Sequence, residues 1–342
     1  MKDSQPVVAV ILGDPAGIGP ELVAKLFNEA QLFEGVHTVL LGDRWLWQEG
    51  QRVAGIHHQL PEISEFSQAR QYAGPVFLPT NTVTEGDVNY AQETAAGGAS
   101  VLALLTQCMD AALANEIDAI CFAPLNKLSM KKGGLKYEDE LHFFANYLGV
   151  KEYFCEFNTL GNLWTARISS HIPLKDAAGY VTEERIVAAS RLIYDALQLA
   201  GTPEPRVVVA AFNPHAGEGG TCGREEIDVI IPAVEACRAQ GYPVTGPLPA
   251  DTLFIKARDG EFDAVITMYH DQGQIAIKLL GFMGGVTVQG GLPIPITTPA
   301  HGTAFDIAGQ GKADVSSTQN AFLIACQMGK NLRKKRLHAR NS

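Results

Sequence analysis

Short apolar runs rich in Val, Ile and Ala alternate with segments of helical spacing, and this alternation most constrains the fold. The run at 7–12 predicts a strand buried on both faces, and apolar residues at helical spacing predict a helix at 20–30. The same reading predicts further strands at 36–41, 119–123, 207–212 and 264–268, and a helix at 100–114. Repeated βα units favour an α/β protein with a mainly parallel sheet.

Size and charge limit the function classes. The 342 residues suggest about two domains, and a hydrophobic share of 46% excludes general disorder. The net charge of −10 argues against nucleic acid and anionic membranes as partners. The apolar run near the amino terminus is too short for a signal core, and no stretch reaches 18 apolar residues. We therefore expect a cytoplasmic protein.

The cysteines and the basic tail have ordinary interpretations. None of the six cysteines forms a CxxC pair, which indicates free thiols in a reducing compartment. The basic run at 333–336 is interpreted as the solvated end of a final helix, where cations suit the helix dipole.

Three histidines follow the ends of three predicted strands. His171 follows the run at 166–170, His215 follows 207–212, and His270 follows 264–268. Ligands bind at the carboxyl edge of open α/β sheets. Three neutral imidazoles gathered at that edge would form a divalent metal site with an open coordination position. The alternative is three unrelated loop histidines.

Two of these histidines have informative neighbours. His215 opens a glycine-rich loop whose amides could approach an anion. His270 precedes Asp271, which could orient a ligand histidine or accept a proton. The alternative for Asp271 is a cap on the next helix.

Two glycine-rich segments could bind a cofactor. Residues 13–21 (GDPAGIGPE) link the first strand to the first helix without the GxGxxG fingerprint, yet this turn, with Asp14, could still approach an anion at a helix start. A plain strand-to-helix turn is the alternative. In residues 301–314, His301 and Asp306 offer hydrogen bonds, and Gly302 lets a flat ring come close.

Six motifs together resemble one family. They occur in the order GDPAGIGPE at 13–21, APLNK at 123–127, NPHAGEG at 213–219, GPLPAD at 246–251, YHDQG at 269–273 and HGTA at 301–304. Over nearly the whole chain they are similar to the 4-hydroxythreonine-4-phosphate dehydrogenase family of vitamin B6 (pyridoxine) synthesis. A more distant likeness links the chain to isocitrate and isopropylmalate dehydrogenases.

The resemblance implies a cytoplasmic homodimer of subunits with two α/β/α domains and mainly parallel sheets, like isocitrate and isopropylmalate dehydrogenases. Residues 1–100 with 275–342 would form a discontinuous domain that carries the adenine-binding segment. Residues 101–274 would carry the metal ligands. Both subunits would contribute to an active site in the cleft between the domains.

The resemblance also implies the chemistry, which is oxidation with NAD of a secondary alcohol β to a carboxylate, followed by loss of carbon dioxide. His171, His215 and His270 match the family's ligands for one divalent metal, such as zinc, cobalt or magnesium. The implied NAD contacts are His301, Gly302, Thr303, Ala304 and Asp306, with Asp14 as a further candidate.

The residues do not choose a general base, for which Asp251, Asp271 and Lys127 are candidates. A metal held by three histidines would lower the pKa of the substrate hydroxyl and stabilise the developing charge.

The substrate residues depart from the family. Lys278 is retained, but the expected histidine and threonine are replaced by Glu140 and Leu141, and the asparagine and arginine align with Thr287 and Ile296. A phosphate prefers Arg, Lys or amide donors, and losing an arginine contact costs about 1.5–3 kcal/mol.

We therefore expect retained metal and NAD chemistry with a changed substrate, a small hydroxy-carboxylate, and an unphosphorylated hydroxy or dihydrodiol carboxylate suits this pocket better. Related activities act on threonate or erythronate phosphate, or on carboxylated cis-dihydrodiols of the terephthalate type. His142 is an alternative replacement for the missing histidine, and residues 137–143 could instead be an exposed acidic turn unrelated to substrate. Competing classes are a non-catalytic ligand-binding relative and an acyl transferase acting on phosphate or coenzyme A.

Overall fold

The structure, a computed structural model, describes residues 4–281 and 283–341. The chain divides into two compact units, unit 1 (1–150 with 292–342) and unit 2 (151–291). The chain passes from one compact unit to the other after residues 150 and 291. The sequence predicts domain boundaries after residues 100 and 274 instead. Which of these boundaries delimits a folding domain stays a prediction.

Strands and helices alternate along most of the described chain. The strands are β1 Val7–Ile11, β2 His37–Asp43, β3 Val76–Thr80, β4 Ala119–Phe122, β5 Cys155–Leu160, β6 Leu163–Arg167, β7 Val207–Ala210, β8 Val244–Leu248, β9 Ala264–Thr267, β10 Val286–Gly290 and β11 Ile296–Pro299. The helices are α1 Gly19–Phe27, α2 Arg44–Ala54, α3 Ala95–Leu113, α4 Lys127–Lys132, α5 Glu140–Tyr147, α6 Glu183–Leu199, α7 Ile231–Ala239, α8 Ala250–Arg258, α9 His270–Leu280 and α10 Ser316–Asn341.

Unit 1 contains a parallel sheet in the order β3-β2-β1-β4-β11. Every residue of β1 and β2 is buried, which is typical of strands covered by helices on both faces. The core of this unit joins the sheet to α3, whose first turn is capped by Thr94, with Oγ1 accepting from the Gly97 amide at 3.0 Å.

Unit 2 contains strands in the order β10-β5-β6-β9-β7-β8. The pairs β10–β5 and β5–β6 are antiparallel, whereas β6, β9, β7 and β8 are parallel to one another. The carboxyl ends of β6, β9 and β7 therefore lie at one edge, and this edge carries the histidines predicted as ligands.

The predicted α/β class and all of the predicted elements in unit 1 are confirmed, with boundaries shifted by a few residues. One boundary matters for the site: β6 ends at Arg167, three residues before the predicted strand end at 170. His171 therefore stands on an irregular segment.

Helix α3 is the one described helix long and apolar enough to cross a membrane by length and composition. More than half of it is buried inside the protein, and its apolar residues belong to the core of unit 1. It is therefore the core helix of an α/β unit, where burial in protein accounts for its composition.

The structure corrects the expectation that the basic tail is fully solvated. The run at 333–336 lies in the final helix as predicted, but two of its cations are not simply solvated. Arg333 and Arg336 lie 3.6 and 3.3 Å from the carboxylate of Asp118, which is 1% exposed. Arg70 lies 3.5 Å from the same group, and the Val7 amide donates to it at 2.9 Å. Three arginines thus neutralise one buried carboxylate.

Candidate active site

The carboxyl edge of β6 and β9 in unit 2 forms a cavity of about 270 Å³. Its walls come from the segment that follows β6 and from the start of α9. The lining residues are Ser169, Ser170, His171, Ile172, Leu174, Ala177, Tyr269, His270 and Asp271. Two of the three histidines predicted as ligands thus line the same cavity.

His171 and His270 have the spacing of a ligand pair. Their ring centroids lie 5.6 Å apart, with the ring planes at 45°. Two imidazoles that bind one tetrahedral ion at ~2.1 Å place their centroids about 5 Å apart. Asp271 Oδ1 lies 2.7 Å from His270 Nδ1, a carboxylate–histidine contact that leaves Nε2 for a metal. Asp271 lies in the first turn of α9, whose N-cap is Tyr269.

His215 occupies a different environment. It follows β7, which pairs with β9, but it is exposed and is not among the residues that line the cavity. Within residues 4–281 and 283–341, the ligand atoms of the three histidines are not all within 4.8 Å of one another. The structure therefore brings two of the three predicted ligands together, and the third stays a prediction.

The His215 loop has an unusual backbone. Five consecutive residues, 215–219, have positive φ, and only two of them are glycine. Non-glycine residues in this region cost of order 1–3 kcal/mol each and occur at functional sites. The loop is therefore a specified conformation held by its surroundings.

Sequence reasoning missed the residue that holds this loop. Glu226 is 1% exposed, and its Oε1 accepts from the amides of Phe212 and Asn213 at 2.7 and 2.6 Å. A Cβ on Gly217 would lie 2.7 Å from Glu226 Oε2, so only glycine fits beside this carboxylate. A glutamate near a helix start has no sequence signal that distinguishes it from a surface residue.

The remaining substrate and base candidates are dispersed in unit 2. Lys278 and Asp251 are exposed on α9 and in the first turn of α8, and neither lines the cavity. Thr287 lies on β10, where its Oγ1 accepts from Asn158 Nδ2 at 3.1 Å. None of the three contacts the histidine pair through a described hydrogen bond.

Residues 137–143 in unit 1 form a bend and the start of α5, but Asp139 is buried rather than exposed. Whether this segment contacts substrate stays a prediction. Asp139 caps α5, with Oδ1 accepting from the His142 amide at 3.0 Å and lying 2.7 Å from His142 Nδ1. Burial alone would raise the pKa of Asp139, but these hydrogen bonds hold it below its ordinary value. Glu140 is the first residue of α5 and is half-buried.

Three of the six motifs meet in unit 1. The Asp14 amide donates to the Pro124 carbonyl at 2.9 Å, and the Ile18 amide donates to the Thr303 carbonyl at 3.1 Å. A Cβ on Gly17 would lie 2.8 Å from Thr303 Cβ, so the turn at 13–21 packs directly against the HGTA segment. Close backbone approach explains the glycines of this turn.

Asp14 is buried within this cluster. Its Oδ1 accepts from the Ala16 amide at 2.8 Å, and burial raises its pKa above the ordinary value. Lys127, the third base candidate, is exposed at the start of α4.

The predicted cofactor segment combines anchored and open positions. Thr303 is buried and Ala304 has a positive φ of 43°, whereas Asp306 is exposed. His301 Nδ1 lies 3.0 Å from the Gly302 carbonyl oxygen. Apart from its chain neighbours, no atom of the described residues lies within 4 Å of a Cβ built on Gly302, so the space above this glycine is free for a ligand.

Comparison with known proteins supports an assignment to a class. The family described as "Pyridoxal phosphate biosynthetic protein PdxA" matches residues 34–325. "Putative 4-hydroxythreonine-4-phosphate dehydrogenase 2" of Pseudomonas aeruginosa is 48% identical over 332 residues, 96% of this chain and 98% of that protein. "Putative D-threonate 4-phosphate dehydrogenase" of Symbiobacterium thermophilum is 33% identical over 98% of this chain and all of that protein.

Solved structures support the same assignment. The 4-hydroxythreonine-4-phosphate dehydrogenase of Klebsiella pneumoniae matches with a TM-score of 0.83 and 32% identity, over 95% of this chain and 98% of that one. A terephthalate 1,2-cis-dihydrodiol dehydrogenase from Burkholderia xenovorans matches with a TM-score of 0.67 and 29% identity, over 92% and 95% of the two chains. The fold and these relatives thus define the class, an oxidoreductase that acts on a CH–OH group. Within that class, the chain belongs to the PdxA family.

Proposed function

We propose that the chain is an NAD-dependent and divalent-metal-dependent dehydrogenase. It oxidises a secondary alcohol β to a carboxylate, and the resulting keto acid loses carbon dioxide. The observation that carries this proposal is the pair of His171 and His270 in one cavity, with ring centroids 5.6 Å apart. Asp271 Oδ1 lies 2.7 Å from His270 Nδ1. Neutral imidazoles oriented by a carboxylate fit a divalent transition metal.

The residues of the chain divide the work. When bound, the metal supplies a Lewis acid that lowers the pKa of a hydroxyl group, and NAD supplies a hydride acceptor. His171 and His270 would hold the metal, and His215 would join them from its loop. Asp271 fixes the orientation of His270 through the 2.7 Å contact.

A base must take the proton of the substrate hydroxyl, and a proton must return to carbon after carbon dioxide leaves. Asp271 is the one of the three base candidates that lines the cavity, while Asp251 and Lys127 are exposed on α8 and α4. The pH–rate profiles of D271N, D251N and K127M identify this base. The proton acceptor is the residue whose substitution abolishes the acidic limb of the profile.

NAD would bind in unit 1 at the cluster of the turn at 13–21 and the HGTA segment. The free space above Gly302, the anchored Thr303 and the buried Asp14 support this placement. The homodimer and the cytoplasmic location stay predictions, and light scattering on the purified protein tests the first.

The substrate is a small hydroxy acid that differs from 4-hydroxythreonine 4-phosphate. Ile296 is fully buried in β11 and offers no donor, so it cannot replace an arginine at a phosphate, whereas Thr287 offers a neutral hydroxyl in place of a neutral amide. The relatives named for D-threonate 4-phosphate make a phosphorylated sugar acid the first candidate. The second candidate is an unphosphorylated cis-dihydrodiol carboxylate, which needs no arginine at a phosphate and is the type of substrate in the name of a structural relative.

The test is NADH formation with a panel of three substrate types, before and after chelation and metal return. D-threonate or erythronate 4-phosphate, or a terephthalate cis-dihydrodiol, should turn over, and the chelator should abolish the activity. Turnover of 4-hydroxythreonine 4-phosphate at an ordinary kcat/KM, about 10⁴ M⁻¹s⁻¹ or better, would refute the changed substrate. Absence of bound metal together with an NAD-insensitive Tm would favour a non-catalytic binding protein.

A further inference from the structure

A polar network covers one face of the antiparallel part of the unit 2 sheet. Asn158 on β5 pairs in register with Thr287 on β10 and with Thr165 on β6. Because side chains alternate along a strand, Glu156 and Arg167 lie on the same face as these residues. This network reaches the lining of the histidine cavity at one residue, Ser170.

Arg167 is the centre of the network. Its side chain is 8% exposed, and all three guanidinium nitrogens have partners. Nε donates to Ser170 Oγ at 2.9 Å, one terminal nitrogen donates to Asn158 Oδ1 at 2.6 Å, and the other lies 3.3 Å from Glu156 Oε2. A buried arginine is tolerated only when its charge and its donors are satisfied in this way.

These contacts connect Arg167 to both elements that carry the cavity histidines. Ser170 lines the cavity and directly precedes His171. Asn158 Oδ1, which accepts from Arg167, also accepts from Gln274 Nε2 at 2.5 Å. Gln274 lies one turn after His270 on α9, so the path Ser170–Arg167–Asn158–Gln274 bridges the two histidine elements through side chains.

We infer that Arg167 is a positioning residue of the metal site. It holds the segment of His171 and the helix of His270 at the spacing that one ion requires. This inference rests on the proposed metal site and adds to it the side chain that sets the geometry. A planar guanidinium can donate in three fixed directions at once, as this role requires, whereas a lysine ammonium cannot reproduce that geometry.

A merely structural arginine would stabilise the fold without changing the affinity for metal. The two roles therefore separate in a metal titration made under conditions where every variant is folded. Residues that orient metal ligands from outside the coordination sphere typically change metal affinity by 10–100-fold.

The experiment titrates the metal-free protein with Co²⁺ and follows the visible absorption of the bound ion, with Tm measured in parallel. R167M should bind Co²⁺ about 10–100-fold more weakly, and R167K should fall between R167M and the parent protein. Ser170→Ala, which removes one acceptor without unpairing a buried charge, should weaken binding by a smaller factor. It keeps the test open if R167M does not fold.

The matched control is R206K. Arg206 lies in the same unit and makes a bidentate pair with Asp263, at 2.8 and 3.0 Å, but it contacts neither histidine element. It should retain the parent affinity. If R167M, R167K and Ser170→Ala all bind Co²⁺ like the parent protein, the positioning role is overturned while the proposed function stands. If the parent protein itself binds no Co²⁺, the proposed metal site fails and the inference fails with it.

Discussion

The two units hold their candidate sites by different means. In unit 1, the motifs at 13–21, 123–127 and 301–304 meet through backbone hydrogen bonds and glycines that leave no room for a Cβ. In unit 2, the histidine pair is held by side chains, with Asp271 on His270 and the Arg167 network behind both elements. A site made of backbone is specified by glycine positions, whereas a site made of side chains is specified by residues distant in sequence.

The largest effect should come from the histidine pair of unit 2. H270A or H171A would remove a metal ligand, and loss of several kcal/mol of transition-state stabilisation corresponds to a fall in kcat/KM of about 10³ or more. NADH formation with the best substrate of the panel measures this. His57→Ala, an exposed histidine of unit 1, is the control.

The same assay on His215→Ala distinguishes a third ligand from an independent loop residue. A fall as large as that of H270A would mean that His215 joins the pair, although it does not line the cavity. Parent-like activity in H171A or H270A would exclude the metal site at this edge.

The backbone-built site of unit 1 should be sensitive to a single methyl group. A Cβ on Gly19 would lie 2.1 Å from the Leu12 carbonyl oxygen, so Gly19→Ala must displace backbone and should lower the free energy of unfolding by about 3 kcal/mol. Urea denaturation measures it. Gly74→Ala, with no atom within 4 Å, should be near neutral, and equal losses would contradict the steric argument.

A glycine with free space should show the opposite pattern. The new methyl group of Gly302→Ala would have no described atom within 4 Å apart from its chain neighbours, so Tm should be unchanged. A methyl group in the path of a flat ring should still raise the Kd for NAD about tenfold, equivalent to about 1.4 kcal/mol. Calorimetric titration with NAD checks this, with Gly86→Ala as control. An unchanged Kd would remove Gly302 from the cofactor site.

The smallest effect concerns Asp14 and pH. Because burial raises its pKa in the fold, Asp14 contributes stability at acidic pH that is lost as pH rises through the folded-state pKa. Asp14→Asn retains the Oδ1 acceptor and avoids the buried charge. At neutral pH it should raise the free energy of unfolding by up to about 1 kcal/mol, a difference that should shrink as pH falls towards the ordinary range of an aspartate. Stability curves at several pH values measure this, and a gain that grows in acid would contradict it.

The sequence was sufficient for the fold because apolar periodicity and motif order are local signals. The strands β1, β2 and β4 of unit 1 and the carboxyl-edge positions of His171 and His270 follow from them, whereas β3 and β11 were not predicted. The geometry of the site was not accessible in this way. The left-handed backbone at 215–219 packs against the buried carboxylate of Glu226 at Gly217, and the Arg167 network requires the register of β5 with β6 and β10. Residues that interact in this way show no periodic pattern and no fixed spacing in the sequence.

The ion pairs of the basic tail are a second example of an interaction that the sequence alone does not predict. Helix-dipole reasoning predicts cations at 333–336 but not their partner, because Asp118 is more than 200 positions away. Only the fold of unit 1 brings the helix end to β4.

The three arginines around Asp118 also fix how short a functional chain can be. A version ending before Arg333 would keep most of α10, but Arg70 would be the one described cation left beside the buried Asp118 carboxylate, together with the Val7 amide. Arg333 and Arg336, within the last ten residues, therefore act as counter-ions for a buried carboxylate, and trimming them would leave that charge poorly compensated.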